Sequence, residues 1–287
     1  IALDAIGESA GLGEFLANYA TFELIDTINI NTEKKSGNFS TENIGIVNVK
    51  FSNPVNMSIG DFKFDDSTKV SIVAEKEFVV RDLVGDTSTS IDSLEEFSIV
   101  GQKDISFRDT VATKELEKIT FSAYNDLTVG KLGSGSLLNL SLESEFGNLT
   151  AAGINATNAK SLDTTINLIA KGTIDNGLGA AFAIDSSSGG INATISGGTI
   201  QSGPYGAKVN FNVSYPDAGV INLTSTSTNG LLSTITNGGT EDSNQTSTIT
   251  LANVAEEQLN EVTIAGIADN ITVIGGTGRD VIQFKND

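Results

Sequence analysis

The stretch Leu116-Glu117-Lys118-Ile119-Thr120-Phe121-Ser122-Ala123-Tyr124-Asn125-Asp126-Leu127-Thr128-Val129 decides the fold of this chain. Its apolar residues alternate with polar ones on either side of a short turn, the two-residue period of strands with one face buried. The phrase recurs as Leu94/Phe97/Ile99 followed by Asp104, Ile105 and Phe107, and as Leu137/Leu140/Leu142 followed by Asn148, Leu149 and Ala151. A later copy reads Leu259/Val262/Ile264, then Asn270, Ile271 and Val273. Between the apolar positions stand Thr120, Thr128, Ser141 and Thr272, the types expected on the outer face of a strand. The turns carry Gly, Asn, Asp or Lys, as in Gly101-Gln102-Lys103-Asp104, where Asn and Asp bond their own main chain or accept left-handed backbone.

Copies open at Ile25, Ile44, Leu94, Leu116 and Leu137, with weaker ones at Ser67 and Asp163, in steps of 19, 23, 27, 22, 21 and 26 residues. Units near this length that drift by a few residues are the mark of stacked rungs with variable loops. One rung cannot bury its apolar face alone, but rungs stacked at ~4.8 Å can. The expectation is therefore an all-β chain, a parallel β-solenoid with rungs of about 23 residues, some twelve in all. A pair of antiparallel sandwiches is the competing arrangement, and it would need hairpins between adjacent strands.

Residues 1–22 form an N-terminal cap segment, with a short helix predicted over residues 8–20 from Leu12, Phe15, Leu16 and Tyr19. The array then runs over 23–287, with a sub-boundary near 164, where charge gives way to Ser, Thr, Asn and Gly. A second short helix is predicted at Ala255-Glu256-Glu257-Gln258.

Composition narrows the function. The chain has no Cys, His or Trp and a single Met. Disulfides, thiolate metal sites, histidine-based triads and zinc hydrolases are thereby excluded. A net charge of −19 argues against nucleic acid as a partner. No apolar run is long enough for a membrane-spanning helix, so no membrane insertion is expected. Ile1 opens without a signal peptide, which reads as a mature product or part of something longer. Stacked acidic clefts of the kind that cleave glycans are lacking over 164–255, and the expectation is that the chain is not an enzyme.

The most specific motif is Gly275-Gly276-Thr277-Gly278-Arg279-Asp280-Val281-Ile282-Gln283, which fits G-G-x-G-x-D-x-U-x. Its glycines permit a tight turn that aims carbonyl oxygens at a cation, and Asp280 adds a carboxylate. Gly275, Gly276, Gly278 and Asp280 are the candidate calcium ligands, although one nonapeptide provides only half of the six or more oxygens required. The plain alternative is a glycine-rich turn with a chance Asp. Asp61, Asp65, Asp66, Glu241 and Asp242 could bind a cation but read first as solvated loop residues, and triplets such as Asn222-Leu223-Thr224 read as products of strand alternation rather than glycosylation sites.

A glycine-rich RTX nonapeptide after a long Thr/Asn/Gly-rich β array without Cys resembles the type I-secreted surface-layer (S-layer) proteins of Gram-negative bacteria. The phrase Asn125-Asp126-Leu127-Thr128-Val129-Gly130 is similar to the array that precedes RTX turns in that family. The resemblance implies an extracellular lattice protein on the bacterial cell surface that assembles with itself and with calcium. It also implies a tie to lipopolysaccharide or another cell-surface glycan through another region. A single nonapeptide and no visible terminal secretion signal depart from the family pattern. Long RTX-type adhesins are relatives of this family, so a binding shaft that recognises a host or glycan surface is the alternative function.

Overall fold

Period-two alternation produces strands along the described residues, and every strand pairing among them is parallel. The computed structural model describes the chain except residues 1, 7–13, 19–26, 32–35, 43–45, 52–56, 65–66, 83–93, 108–110, 114, 157–162, 179, 187–189, 198–204, 214–219, 238–245, 267–269 and 286–287. Side chains are described from residue 46 onward, apart from 52–66, 81–93, 108–114 and the gaps above. Asp65, Asp66, Glu241 and Asp242 fall outside the described residues, whereas Asp61 lies in the strand Met57–Phe64, paired with Asp82, and not in the loop expected for it.

The strands form two sheets. A 12-stranded sheet, here the first sheet, runs from Ala2–Ile6 through Ile46–Phe51, Lys69–Ala74, Glu96–Gly101, Lys118–Ala123 and Asn139–Ser144 to Asn270–Ile274. A 14-stranded second sheet runs from Glu14–Asn18 through Phe78–Asp82, Ile105–Phe107, Leu127–Ser134 and Leu149–Asn155 to Arg279–Lys285. Strands alternate between the sheets along the chain, so each rung gives one strand to each. Two extra strands of the second sheet, Val111–Thr113 and Phe182–Ser186, continue rungs already counted. This is a parallel β-solenoid, and the antiparallel sandwich is excluded.

Register explains the spacing of the repeat. Ile46 pairs with Lys69, Lys69 with Glu96, Glu96 with Lys118, Lys118 with Asn139, and Asn139 with Thr165. Those steps of 23, 27, 22, 21 and 26 residues are the ones read from the sequence. The first step differs: Ile28 pairs with Val49, 21 residues on where the sequence reading has 19, so the unit at Ile25 is set out of line by two residues, whereas that at Ile44 is in line with those that follow.

The core lies between the sheets. Val70, Phe97, Ile119, Leu140 and Ile166 stack as one inward column of the first sheet, each at most 1% exposed. Phe78, Ile105, Leu127, Leu149 and Ile174 form the facing column. Phe97, Phe107 and Phe121 bridge them, with Phe121 edge-on to Phe97 at 5.2 Å and tilted against Phe107 at 5.6 Å, separations that favour aromatic pairs. Leu94, Leu116 and Leu137, the opening residue of three copies, fill the corner before the first-sheet strand and are fully buried.

The polar residue after the turn has a structural task in three successive rungs, at Asp104, Asp126 and Asn148. Asp126 Oδ1 accepts from the Asn148 backbone N–H at 2.7 Å, and Asn148 Oδ1 accepts from the Thr173 N–H at 2.9 Å. The Asp126 N–H in turn lies 3.3 Å from Asp104 Oδ1. Each rung thus satisfies a corner N–H of the next, a group that would otherwise point outside the ladder. Gly147 and Gly172 are required there: a Cβ on Gly147 would meet Asp126 Oδ1 at 2.4 Å, and one on Gly172 would meet Asn148 Oδ1 at 2.3 Å.

Both helix expectations are corrected. Within 8–20, Glu14–Asn18 is a strand paired with Asn38–Glu42, and the rest of that stretch lies outside the described residues. Ala255–Gln258 is a single turn closed by the Gln258 N–H to the Ala255 carbonyl at 2.9 Å. In the first place a few apolar residues at helical spacing are outweighed by the neighbouring strand, which offers backbone partners that a helix would forgo.

Candidate metal site at the terminal turn

The last copy of the repeat is out of phase with the others. Leu259–Ala265 lies in the second sheet, whereas Asn270–Ile274 lies in the first, the reverse of Leu116 to Val129. Both half-rungs are short alternating strands, so the pattern alone cannot tell one from the other. Leu259 is accordingly only half-buried, and the inward positions are Asn260, Val262 and Ile264.

The nonapeptide occupies the turn from Asn270–Ile274 into Arg279–Lys285, the same corner of the solenoid as Tyr124-Asn125 and Phe146-Gly147. Beneath it lies the longer connection Leu251 to Gln258. Three hydrogen bonds hold the two together: Leu251 N–H to Ile274 O at 2.9 Å, Val254 N–H to Thr277 O at 2.8 Å, and Thr277 N–H to Asn253 Oδ1 at 2.6 Å. The glycines follow from that closeness. A Cβ on Gly276 would sit 2.2 Å from the Ala252 carbonyl oxygen, and one on Gly278 would sit 2.4 Å from that of Val254. Gly278 also has φ of +114°, which side chains rarely adopt.

Asp280 does not stand on the tip of the turn. It pairs in register with Asn260, whose side chain is inward and fully buried, so the carboxylate faces the solenoid interior at its last rung. Asn260 Nδ2 donates to Asp280 Oδ1 at 2.8 Å and to the Ala252 carbonyl at 2.9 Å. The other carboxylate oxygen lies over Gly275, where a Cβ would come within 2.7 Å of it. Asn260 Oδ1 is buried without a hydrogen-bond partner. Val281 and Ile282 continue as strand, as the motif requires.

The four residues named from the motif thus share one corner, and the structure adds Asn260 to them. Alternation could have found it, because Asn260 has the inward parity of Val262 and Ile264. Reading Leu259 as the core position hid it. Among the described residues no cluster of three or more acidic, His or Cys side chains is present. The donor set is all oxygen, with one carboxylate, one unpartnered amide oxygen and a glycine turn that admits close approach. That chemistry fits a hard cation, and it amounts to part of a calcium shell rather than a whole one. The plain turn is also served by the same residues, since the Asn260–Asp280 bond already ties the last rung to the one beneath. No protein-family model, curated protein or solved structure matches the chain.

Proposed function

We propose that this chain is a structural component of a bacterial surface layer, secreted by an RTX-type route, that assembles with itself and calcium on the cell surface. The observation that carries the reading is the inward carboxylate of Asp280 beneath a glycine turn on the last rung. Covering such a group with another layer is costly unless it is paired or bound to a cation. The Asn260 amide supplies a hydrogen bond but no charge. Calcium there would neutralise the carboxylate and supply the link between layers. Asp280, with the carbonyls of Gly275, Gly276 and Gly278, would hold it from this side.

The solenoid itself supports a scaffold rather than a catalytic role, because its carboxylates and amides at the rung corners are engaged in tying rung to rung. A binding shaft of the adhesin kind shares the fold and the turn, and differs in whether copies meet one another. The test is a thermal melt with and without calcium. Calcium should raise the melting temperature of the native chain, and Asp280→Ala should remove that gain, while the lost bond from Asn260 lowers the calcium-free melt by a smaller amount. An equal gain in Asp280→Ala would place the ion elsewhere, and no gain in either would end the calcium reading.

A further inference from the structure

We infer that the outer face of the first sheet from Thr164–Ala170 to Asn270–Ile274 is the surface through which a second copy of this chain docks, face to face. The inference rests on the assembly proposed above and names the contact.

Electrostatics selects the face. With a net charge of −19, two copies repel one another wherever charged surfaces meet. In its earlier rungs the first sheet presents Lys50, Lys69, Glu96, Lys118 and Glu143 outward. The second sheet presents Lys208, Glu261 and Arg279 in its later rungs. From Thr164–Ala170 onward the five first-sheet strands contain no Asp, Glu, Lys or Arg at all. Their outward residues run in register as Thr165, Asn192, Asn222, Thr248 and Thr272, and beside them as Asn167, Thr194, Thr224 and Thr250.

The face is also ordered in advance. Asn222 Nδ2 donates to Asn192 Oδ1 at 2.8 Å, and Asn222 Oδ1 accepts from the Thr248 N–H at 3.2 Å. Polar groups already bonded along the ladder have less hydration and less rotamer freedom to lose on contact. Ile169, 38% exposed, adds an apolar point to the first of these rungs. Five strands at ~4.8 Å, each about 20 Å long, cover about 480 Å² per copy, or about 960 Å² for the pair. That is near the ~1,000 Å² a specific contact needs, which suits a contact repeated many times in a lattice better than an isolated tight dimer.

Sedimentation of the full chain with calcium tests the assignment, using Thr194→Glu at the centre of the face and Thr120→Glu on the charged part of the same sheet. Both positions point outward, so neither change enters the core. The native chain and Thr120→Glu should associate, and Thr194→Glu should lose association at least tenfold. Because the chain has no cysteine, Thr194→Cys offers a second measurement: a short bis-maleimide should link copies through it and should not do so through Thr120→Cys. Association that survives Thr194→Glu, falls equally in Thr120→Glu, or yields equal cross-linking at both cysteines overturns the face but leaves assembly standing. A native chain that stays monomeric with and without calcium overturns both.

Discussion

The rungs from Leu94 to Ala156 and those from Thr164 to Ala265 use one backbone plan and two chemistries. In the first group the core is aliphatic and aromatic, with Phe97, Phe107 and Phe121 in mutual contact. In the second it takes in more hydroxyls: Thr164, Ser186, Ser225, Ser227, Ser233 and Ser247 are all buried. Most of these serve the corners. Thr164 Oγ1 donates to the Leu137 carbonyl at 2.7 Å, and Ser227 Oγ lies 2.8 Å from the Gly197 carbonyl. The outer faces differ in the opposite sense, charged in the first group and uncharged on the later first sheet. The ladder is thus indifferent to surface chemistry as long as inward parity is kept, which leaves the surface free to take on a separate task.

The largest expected effect breaks the aromatic side of this comparison. Phe121→Ala should cost about 3–5 kcal/mol, because a fully buried ring is removed from between two others. Ile195→Ala, equally buried but with a smaller side chain to lose, should cost about 2–4 kcal/mol. Equilibrium unfolding in urea of each variant checks the order, and a larger loss at Ile195 would refute it.

Next in size is the corner ladder. Asn148→Ala removes the acceptor of the Thr173 N–H and hydroxyl and the donor to Asp126, and should cost about 1–3 kcal/mol. Hydrogen exchange should quicken at Thr173 and Asn148 before it does at the strand centres. Uniform exchange across the rung would show that the ladder adds nothing to the sheet bonds.

These residues also show how much of the fold was legible. Parity and step length were readable because Leu116, Ile119 and Phe121 must all face inward, and steps of 21 to 27 residues follow the register from Ile46 to Thr165. The array fades at 163 because the corner leucine gives way to Asp163, whose Oδ1 instead accepts from the Gly190 N–H at 2.8 Å. The interchange of half-rungs in the last copy was hidden for another reason: both sheets use the same alternation. The candidate site was half legible. Its glycines and Asp280 stand in the motif, but Asn260 comes from the rung beneath, 20 residues earlier, a neighbour that only the register supplies.

The smallest effects are electrostatic and set the two groups apart by pH. Lys69 lies 2.9 Å from Glu96, and its hydrogen bond holds that carboxyl below its ordinary 4.5. A lowered carboxyl adds stability above its unfolded value that is lost as pH falls through the folded one. The pair is exposed, so Glu96→Gln should cost a few tenths of a kcal/mol, remove a small loss below about pH 4.5, and be masked by salt. In the later rungs Tyr205 donates to Glu261, and burial together with that bond pushes its hydroxyl up to about 12 from 10.0. Its contribution is full below pH 10 and fades toward pH 12, so Tyr205→Phe should flatten the alkaline limb of the melting profile. An unchanged limb would show that the hydroxyl is not coupled to folding.

Electron microscopy of the chain with and without calcium decides whether copies build a surface layer. Ordered two-dimensional arrays should form with calcium and separate into dispersed particles once it is chelated. Dispersed single particles under both conditions would contradict the surface-layer reading.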